Sequence, residues 1–166
     1  RDIESMVFAL LDAVSISAGH LELLGDLDVT EYDDNYTTCS ATFATLRIYP
    51  GELSVEEVTS LLNIEPTSTQ AAEERPRGVR NRPAGWFLTS EGAVESRDVR
   101  RHVDWILDQI ENKSDVFQAF RKSEVQAGIS CYWVSASGHG GPSLWPCQMT
   151  MLGLLGLEIC FDVYAN

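Results

Sequence analysis

The stretch Pro142-Ser-Leu-Trp-Pro-Cys-Gln-Met-Thr-Met-Leu-Gly-Leu-Leu-Gly-Leu-Glu-Ile-Cys-Phe-Asp-Val-Tyr164 has the highest apolar content of the chain. Its first half predicts a helix, because Met and Leu recur at three- and four-residue spacings around most of the circumference. Ser143 is a candidate N-cap, Pro146 fits a first helical turn, and Gly156 suits a left-handed helix end. From Leu157 onward apolar and polar residues alternate, as in a half-buried strand. We therefore expect this helix–strand unit to form the centre of the core rather than a ligand- or membrane-contacting stripe.

The length of 166 residues fits one domain, with or without an extension. No apolar run reaches the roughly 18 residues that a membrane-spanning helix needs, and the printed start shows no secretory signal pattern. The cysteines lack the tight spacing and histidine neighbours of a zinc site, which predicts reduced thiols in a cytoplasmic protein and neither metal nor cofactor. These residues are Cys39, Cys131, Cys147 and Cys160.

The charge balance is strongly acidic, with a formal net charge of −13 and a pI near 4.5. This charge disfavours nucleic acid, whose binding requires clustered cations, and it disfavours anionic membrane surfaces. It suits a protein partner with a basic surface, because complementary fields accelerate encounter. The alternative is that acidity only keeps the protein soluble.

The N-terminal part, residues 1–38, is predicted to be an amphipathic helix over residues 2–17 followed by an acidic linker. The apolar residues recur at helical spacing from Ile3 to Val14. The acidic stretch contains no basic residue and is a candidate face for a basic partner, a solvated linker or a weak cation site. Its candidate partner-binding residues are Asp26, Asp28, Glu31, Asp33 and Asp34.

Residues 39–166 are predicted to be one α+β domain with the element order β-α-β-β-α-β-α-β. Alternation predicts a strand over Ala41–Tyr49, and Ser54 with Glu57 forms the signature of a capping box that opens a helix. The helix-end motif around Leu61, Leu62 and Asn63 resembles the one around Leu154, Leu155 and Gly156. Two such strand–helix–strand units suggest a ferredoxin-like sheet of about five strands, with the helices on one face.

A basic loop between Glu73 and Pro83 interrupts the acidic pattern, and its Gly and Pro content predicts an irregular segment. Arginine side chains recognise phosphate and carboxylate, so this loop is a candidate anion site; pairing with the protein's own carboxylates is the alternative. A second exposed loop holds a histidine among glycines. The anion-binding candidates are Arg75, Arg77, Arg80, Arg82 and His139.

No catalytic constellation is visible in the sequence. The Gly-His-Gly-Gly run at 138–141 resembles an oxyanion loop, but the Gly-x-Ser-x-Gly nucleophile motif that would accompany it is missing. The glycine spacing does not match a dinucleotide fingerprint, and no Walker loop is present. His102 lies beside the apolar stripe of the predicted helix from Ser96 or Asp98 to Asn112, where a packed ring is the usual role. We therefore do not expect an enzyme.

Several motifs in fixed order resemble the bacterial DUF4279 family. They are Ala44-Thr-Leu-Arg-Ile-Tyr49, Leu61-Leu-Asn-Ile-Glu-Pro-Thr67, Gly85-Trp-Phe-Leu-Thr-Ser90, His102-Val-Asp-Trp-Ile-Leu107 and Leu154-Leu-Gly-Leu-Glu-Ile-Cys-Phe-Asp-Val-Tyr164. The resemblance covers about residues 39–165. It implies a fold and a bacterial origin but no reaction, since the family is functionally uncharacterised.

Two functions follow from these patterns. The first is a non-enzymatic, acidic protein-binding module, of which a toxin-neutralising immunity protein is the concrete form. The second is a small-ligand or anion-sensing domain that uses the Arg75–Arg82 loop.

Overall fold

The computed structural model describes residues 31–77 and 81–165. The predicted N-terminal helix, Asp26, Asp28 and Arg80 lie outside these ranges. The elements are β1 (Cys39–Tyr49), α1 (Val55–Leu62), β2 (Ser68–Gln70), β3 (Gly85–Thr89), α2 (Val99–Ile110), a 3₁₀ turn (Glu111–Lys113), α3 (Ser114–Arg121), β4 (Gln126–Ser135), α4 (Pro146–Leu155) and β5 (Glu158–Ala165). This order confirms the predicted α+β class.

The five strands form one mixed sheet in the order β2-β3-β1-β4-β5. Strand β1 is antiparallel to both β3 and β4, β2 is antiparallel to β3, and β4 and β5 are parallel. The register places Leu46 of β1 between Leu88 of β3 and Ile129 of β4. All three side chains are buried, so they build the core side of the sheet.

The alternation in β1 separates two faces, as the sequence predicted. Ala44, Leu46 and Ile48 are buried with the helices, whereas Phe43, Thr45, Arg47 and Tyr49 are half-exposed. We call the half-exposed side the open face. Trp86 of β3 and Trp133 of β4 are both buried in the core.

Helix boundaries follow local capping chemistry. The Ser54 hydroxyl accepts from the Glu57 backbone N–H, and the Glu57 carboxylate accepts from the Ser54 N–H at 2.7 Å, so the predicted capping box is present. Helix α1 ends at Asn63, which has a left-handed φ of 52°. The Asp98 carboxylate caps α2 by accepting from the Arg100 N–H.

The C-terminal unit does not form the centre of the core, contrary to the expectation from its apolar content. Leu152, Leu155 and Leu157 are buried, but Leu154 is 65% exposed and Val163 is 54% exposed. Val163 lies on β5, which has a neighbouring strand on one side only. Leu154 lies on α4, of which only Gln148, Leu152 and Leu155 are buried. Alternation predicts that a strand is half-buried, but it does not tell where the strand lies in the sheet.

Helix α4 also begins later than predicted. Its N-cap is Trp145, not Ser143, and Pro146 is the first helical residue. The Gln148 side chain accepts from the Trp145 backbone N–H at 3.0 Å and donates to the Arg100 carbonyl at 2.7 Å. The buried Gln148 amide therefore fixes the start of α4 against α2.

The two strand–helix–strand units differ in topology although their helices end alike. Asn63 after α1 and Gly156 after α4 both have a left-handed backbone, with φ of 52° and 66°. Strands β4 and β5 are direct neighbours, whereas β3 lies between β1 and β2. The similar helix ends therefore mark similar local turns, not identical units.

Candidate functional site

The described part of the acidic stretch is attached to the start of α2. Asp33 donates its backbone N–H to the Asp98 carboxylate at 2.9 Å, and the Asp34 carboxylate pairs with Arg101 at 2.6 Å. Hydrogen bonds from the Ser96 hydroxyl and from Arg101 lower the pKa of Asp34. Asp34 is therefore partly neutralised within the protein. Of the five predicted partner-binding residues, Asp33 and Asp34 lie together and Glu31 is exposed.

A cavity of about 540 Å³ lies beside α2, on the side where Tyr32 packs. We call it the acidic pocket. Its polar and aromatic lining combines carboxylates with two aromatic rings and one guanidinium, which already pairs with Asp34. The lining consists of Tyr32, Ala93, Val94, Glu95, Arg101, Asp104, Trp105 and Asp108.

The pKa values of Asp104 and Tyr32 are both raised in this pocket. Burial raises the pKa of Asp104, and the nearby charges of Asp108 and Asp98 raise it further, against the hydrogen bonds that Asp104 accepts. The Tyr32 hydroxyl donates to Asp104 at 2.9 Å. Burial and this hydrogen bond raise the pKa of Tyr32 to about 12. Asp104 is thus a carboxylate whose ionised form would gain from a bound cation.

The aromatic walls offer a second type of contact to a cation. The Arg101 guanidinium lies 5.2 Å from the centre of the Tyr32 ring, and Trp105 is half-buried at the pocket. Cations are attracted to the faces of such rings. Arg101 already takes this place at the Tyr32 ring, so the pocket contains a cation of the protein itself. Sequence reasoning missed the acidic pocket; the available signal was Asp104 and Asp108 at a four-residue spacing on one helix.

Two of the three arginines that the structure describes in the basic loop line a second cavity, of about 620 Å³. We call it the arginine cavity. Arg75 and Arg82 line it with Tyr49 and Gln126, and Glu73 and Arg82 exchange backbone hydrogen bonds of 2.8 and 2.9 Å that hold the loop. Other lining residues are Gly51, Gln70, Asn81, Pro83 and Glu124, whereas the exposed Arg77 does not line it.

His139 lies away from this cavity. It follows the end of β4, and the Cys39–Ser135 pair marks that end of the sheet. The arginine cavity includes Tyr49, which pairs with Gln126 at the opposite end. The Ser135 hydroxyl donates to the His139 carbonyl at 2.9 Å. The structure therefore does not bring His139 together with Arg75 and Arg82.

A serine–histidine contact exists in the core but is inaccessible. Ser90 and His102 are both almost fully buried, and 2.8 Å separates the Ser90 Oγ and His102 Nδ1 atoms. His102 Nε2 donates to the Ser96 carbonyl at 3.0 Å, so Nδ1 is the acceptor for the Ser90 hydroxyl. Burial lowers the pKa of His102. This pair joins β3 to α2 and cannot meet a substrate.

Within residues 31–77 and 81–165, no group of three or more His, Cys, Asp and Glu residues is arranged to hold a metal ion. All four cysteines are free thiols, and Cys39 and Cys131 are buried. None of the helices described for this chain is long and apolar enough to cross a membrane.

The sequence was compared with family models, with curated proteins and with solved structures. No curated protein and no solved structure matches the chain. The sequence model of the family described as "Domain of unknown function (DUF4279)" matches residues 37–166. The match covers the whole sheet and every helix described above, and so the chain belongs to the DUF4279 family.

Proposed function

We propose that this protein is a non-enzymatic binding module for a protein partner with a basic surface. The observation that carries the proposal is the acidic pocket, in which Glu95, Asp104 and Asp108 surround a cavity with two aromatic walls. A lysine or arginine side chain of the partner would enter this pocket. The net charge of −13 would attract such a partner over longer range.

The location proposed for partner binding differs from the one that the sequence favoured. The acidic stretch supplies Tyr32 to the pocket wall, while Asp34 pairs with Arg101 at the pocket edge. The carboxylates that face the cavity come from α2 and from the loop before it. Neutralisation of a basic toxin remains the concrete form of this function that we propose, in a reducing cytoplasm that suits the free thiols.

The experiment measures the binding of an acetylated, amidated hexa-arginine peptide by isothermal titration calorimetry at low salt. Asp108→Asn and Glu95→Gln should each weaken binding about tenfold, since charge-assisted hydrogen bonds contribute about 1.5–3 kcal/mol. Glu52→Gln and Glu56→Gln, two exposed carboxylates near α1, are the matched controls and should leave the affinity nearly unchanged. If the pocket variants and the control variants lost the same amount of affinity, the effect would come from net charge alone, and the assignment of binding to the pocket would be overturned.

A second function is supported by the arginine cavity. Arg75 and Arg82 face one space with the Gln70 and Gln126 side chains, a combination suited to phosphate or carboxylate oxygens. We propose a small-anion sensor as the alternative function of this domain. The carboxylate of Glu124 in the same lining would disfavour the most highly charged anions.

A thermal-shift series with inorganic phosphate, citrate and nucleoside monophosphates tests this alternative. Arg82→Gln and Arg75→Gln should remove any ligand-induced rise in Tm, whereas Arg77→Gln, an exposed arginine of the same loop, should keep it. A flat response of the parent protein to all these anions would overturn the sensor function.

We infer that β1 to β4 with their helices form a ferredoxin-like sheet to which α4 and β5 were added at one edge. The order β2-β3-β1-β4 with antiparallel neighbours supports this assignment. The parallel β4–β5 pair is the part that departs from it.

A further inference from the structure

A row of three residues crosses the open face from β1 to β5. Arg47 of β1 pairs with Gly128 of β4, and Gly128 pairs with Glu158 of β5. Because neighbouring strands are about 4.8 Å apart, the Arg47 and Glu158 backbones are about 10 Å apart. The glycine between them presents no side chain, and the Arg47 side chain reaches across β4 to the Cys160 Sγ of β5, on the same strand as Glu158.

Most N–H groups of the Arg47 guanidinium have no hydrogen-bond acceptor among the described residues. Its Nη2 donates to the Cys160 Sγ at 3.0 Å, which is the one hydrogen bond of its side chain to the described part of the chain. No carboxylate of residues 31–77 or 81–165 lies within 4 Å of its nitrogens. The hydrogen bond to Cys160 therefore locates the guanidinium at β5 and leaves its other N–H groups without a partner among the described residues.

Glu158 is the complementary group. It is exposed at the start of the edge strand β5, and no described cation pairs with it. A cavity of about 190 Å³ is lined by polar and small residues: Arg47, Tyr49, Gln126, Ala127, Gly128, Ile129, Glu158 and Cys160. The cavity thus has one cation, one anion and two further polar side chains.

We propose that this cavity binds a small free α-amino acid. The ligand carboxylate would take a bidentate pair of N–H groups from Arg47, and the ligand ammonium would bind Glu158. A zwitterion pairs with both Arg47 and Glu158, whereas a simple anion would be repelled by Glu158 and a simple cation by Arg47. The small volume favours a ligand with a short side chain, such as glycine, alanine or serine.

This site goes beyond the proposed partner binding and uses none of the acidic-pocket residues. It shares only Tyr49 and Gln126 with the arginine cavity. Asp108→Asn should therefore bind amino acids like the parent protein, so that failure of one function is distinguishable from failure of the other.

The first test compares matched forms of one ligand by calorimetry. Free L-alanine, L-serine and glycine are titrated, together with N-acetyl-L-alanine, which lacks the ammonium, and L-alanine methyl ester, which lacks the carboxylate. We expect saturable binding of a free amino acid and at least about tenfold weaker binding of both blocked forms. Binding of the N-acetyl form as tight as that of the free form, or no binding of any up to about 10 mM, would overturn the proposal.

The second test uses variants of the parent chain with their folding checked by circular dichroism. Arg47→Gln and Glu158→Gln should each weaken amino-acid binding at least about tenfold, since each removes one charged contact. Arg97→Gln and Asp162→Asn are exposed controls outside the cavity and should retain the parent affinity. Full affinity in either cavity variant would overturn the two-point recognition.

Discussion

Asp104 links the stability of the fold to partner binding at the level of a single residue. Burial raises the pKa of Asp104 above its unfolded-state value of about 3.8. The protonated carboxyl therefore contributes stability that is fully present below about pH 3.8 and is lost as the pH rises through the folded-state pKa. We predict that Asp104→Asn stabilises the protein at neutral pH by less than about 1 kcal/mol, since solvent screens this half-exposed site. The same change should weaken binding of the basic peptide.

Urea denaturation of both proteins at several pH values measures this effect. The difference between them should shrink as the pH falls through the raised folded-state pKa of Asp104 towards the lower pKa of the unfolded state. A variant that is less stable than the parent at neutral pH would show that the hydrogen bond from Tyr32 requires the charged carboxylate.

His102 predicts a pH dependence of the opposite sign. Burial lowers its pKa, so its contribution to stability is complete above the unfolded-state value of about 6.5 and is lost as the pH falls below it. His102→Gln should cost stability at about pH 8 but flatten the decline between about pH 6.5 and 5. Urea midpoints across this range measure both effects. His139→Gln in an exposed loop is the matched control, and an equal flattening in that variant would contradict the assignment.

At the level of elements, one side-chain hydrogen bond fixes α1 on the sheet. The buried Trp86 donates its indole N–H to the Thr59 hydroxyl at 3.0 Å. Thr59→Val keeps the shape but leaves a buried donor unpaired, which should cost about 1–3 kcal/mol of unfolding free energy. Thr59→Ser retains the acceptor and should cost less. Chemical denaturation monitored by tryptophan fluorescence distinguishes the two, and a cost of Thr59→Val no greater than that of Thr59→Ser would contradict the importance of this hydrogen bond.

The helices and strands also show which parts of the fold can be predicted from the sequence. Alternation in β1, the Ser54 capping box and the left-handed residues Asn63 and Gly156 depend on neighbours in the chain, and all were predicted correctly. The edge position of β5 depends on which strands pair, and no local pattern encodes it. This explains why the C-terminal apolar stretch was assigned to the core centre.

Candidate sites show the same division between local and long-range information. Arg75 and Arg82 are close in sequence and share a cavity, as a loop of clustered arginines suggested. The acidic pocket joins Tyr32 to Asp104, which are 72 positions apart, and the amino-acid cavity joins Arg47 to Glu158 across three strands. Such sites appear only once the topology is known.

For the whole molecule, the dominant property is unbalanced negative charge. A net charge of −13 repels itself in the folded state, and the described residues offer three ion pairs to offset it. Screening weakens repulsion between exposed charges more than it weakens the partly buried Asp98–Arg100 pair, because the Debye length falls to about 10 Å at 0.1 M salt. Added salt should therefore stabilise this fold.

We predict that the Tm rises as KCl increases from near zero to about 0.3 M, by about 2–4 °C for each kcal/mol of repulsion removed. Calorimetric scans at constant pH measure the rise in Tm. A parallel series in sucrose at the same osmolality separates charge screening from the stabilisation that excluded solutes produce. The double variant Glu52→Gln/Glu56→Gln carries less charge and should gain less from salt, because these two exposed carboxylates contribute to the repulsion. A Tm that falls with salt would show that attractive ion pairs outweigh the net charge, and would weaken the case for attraction of a basic partner by the molecule as a whole.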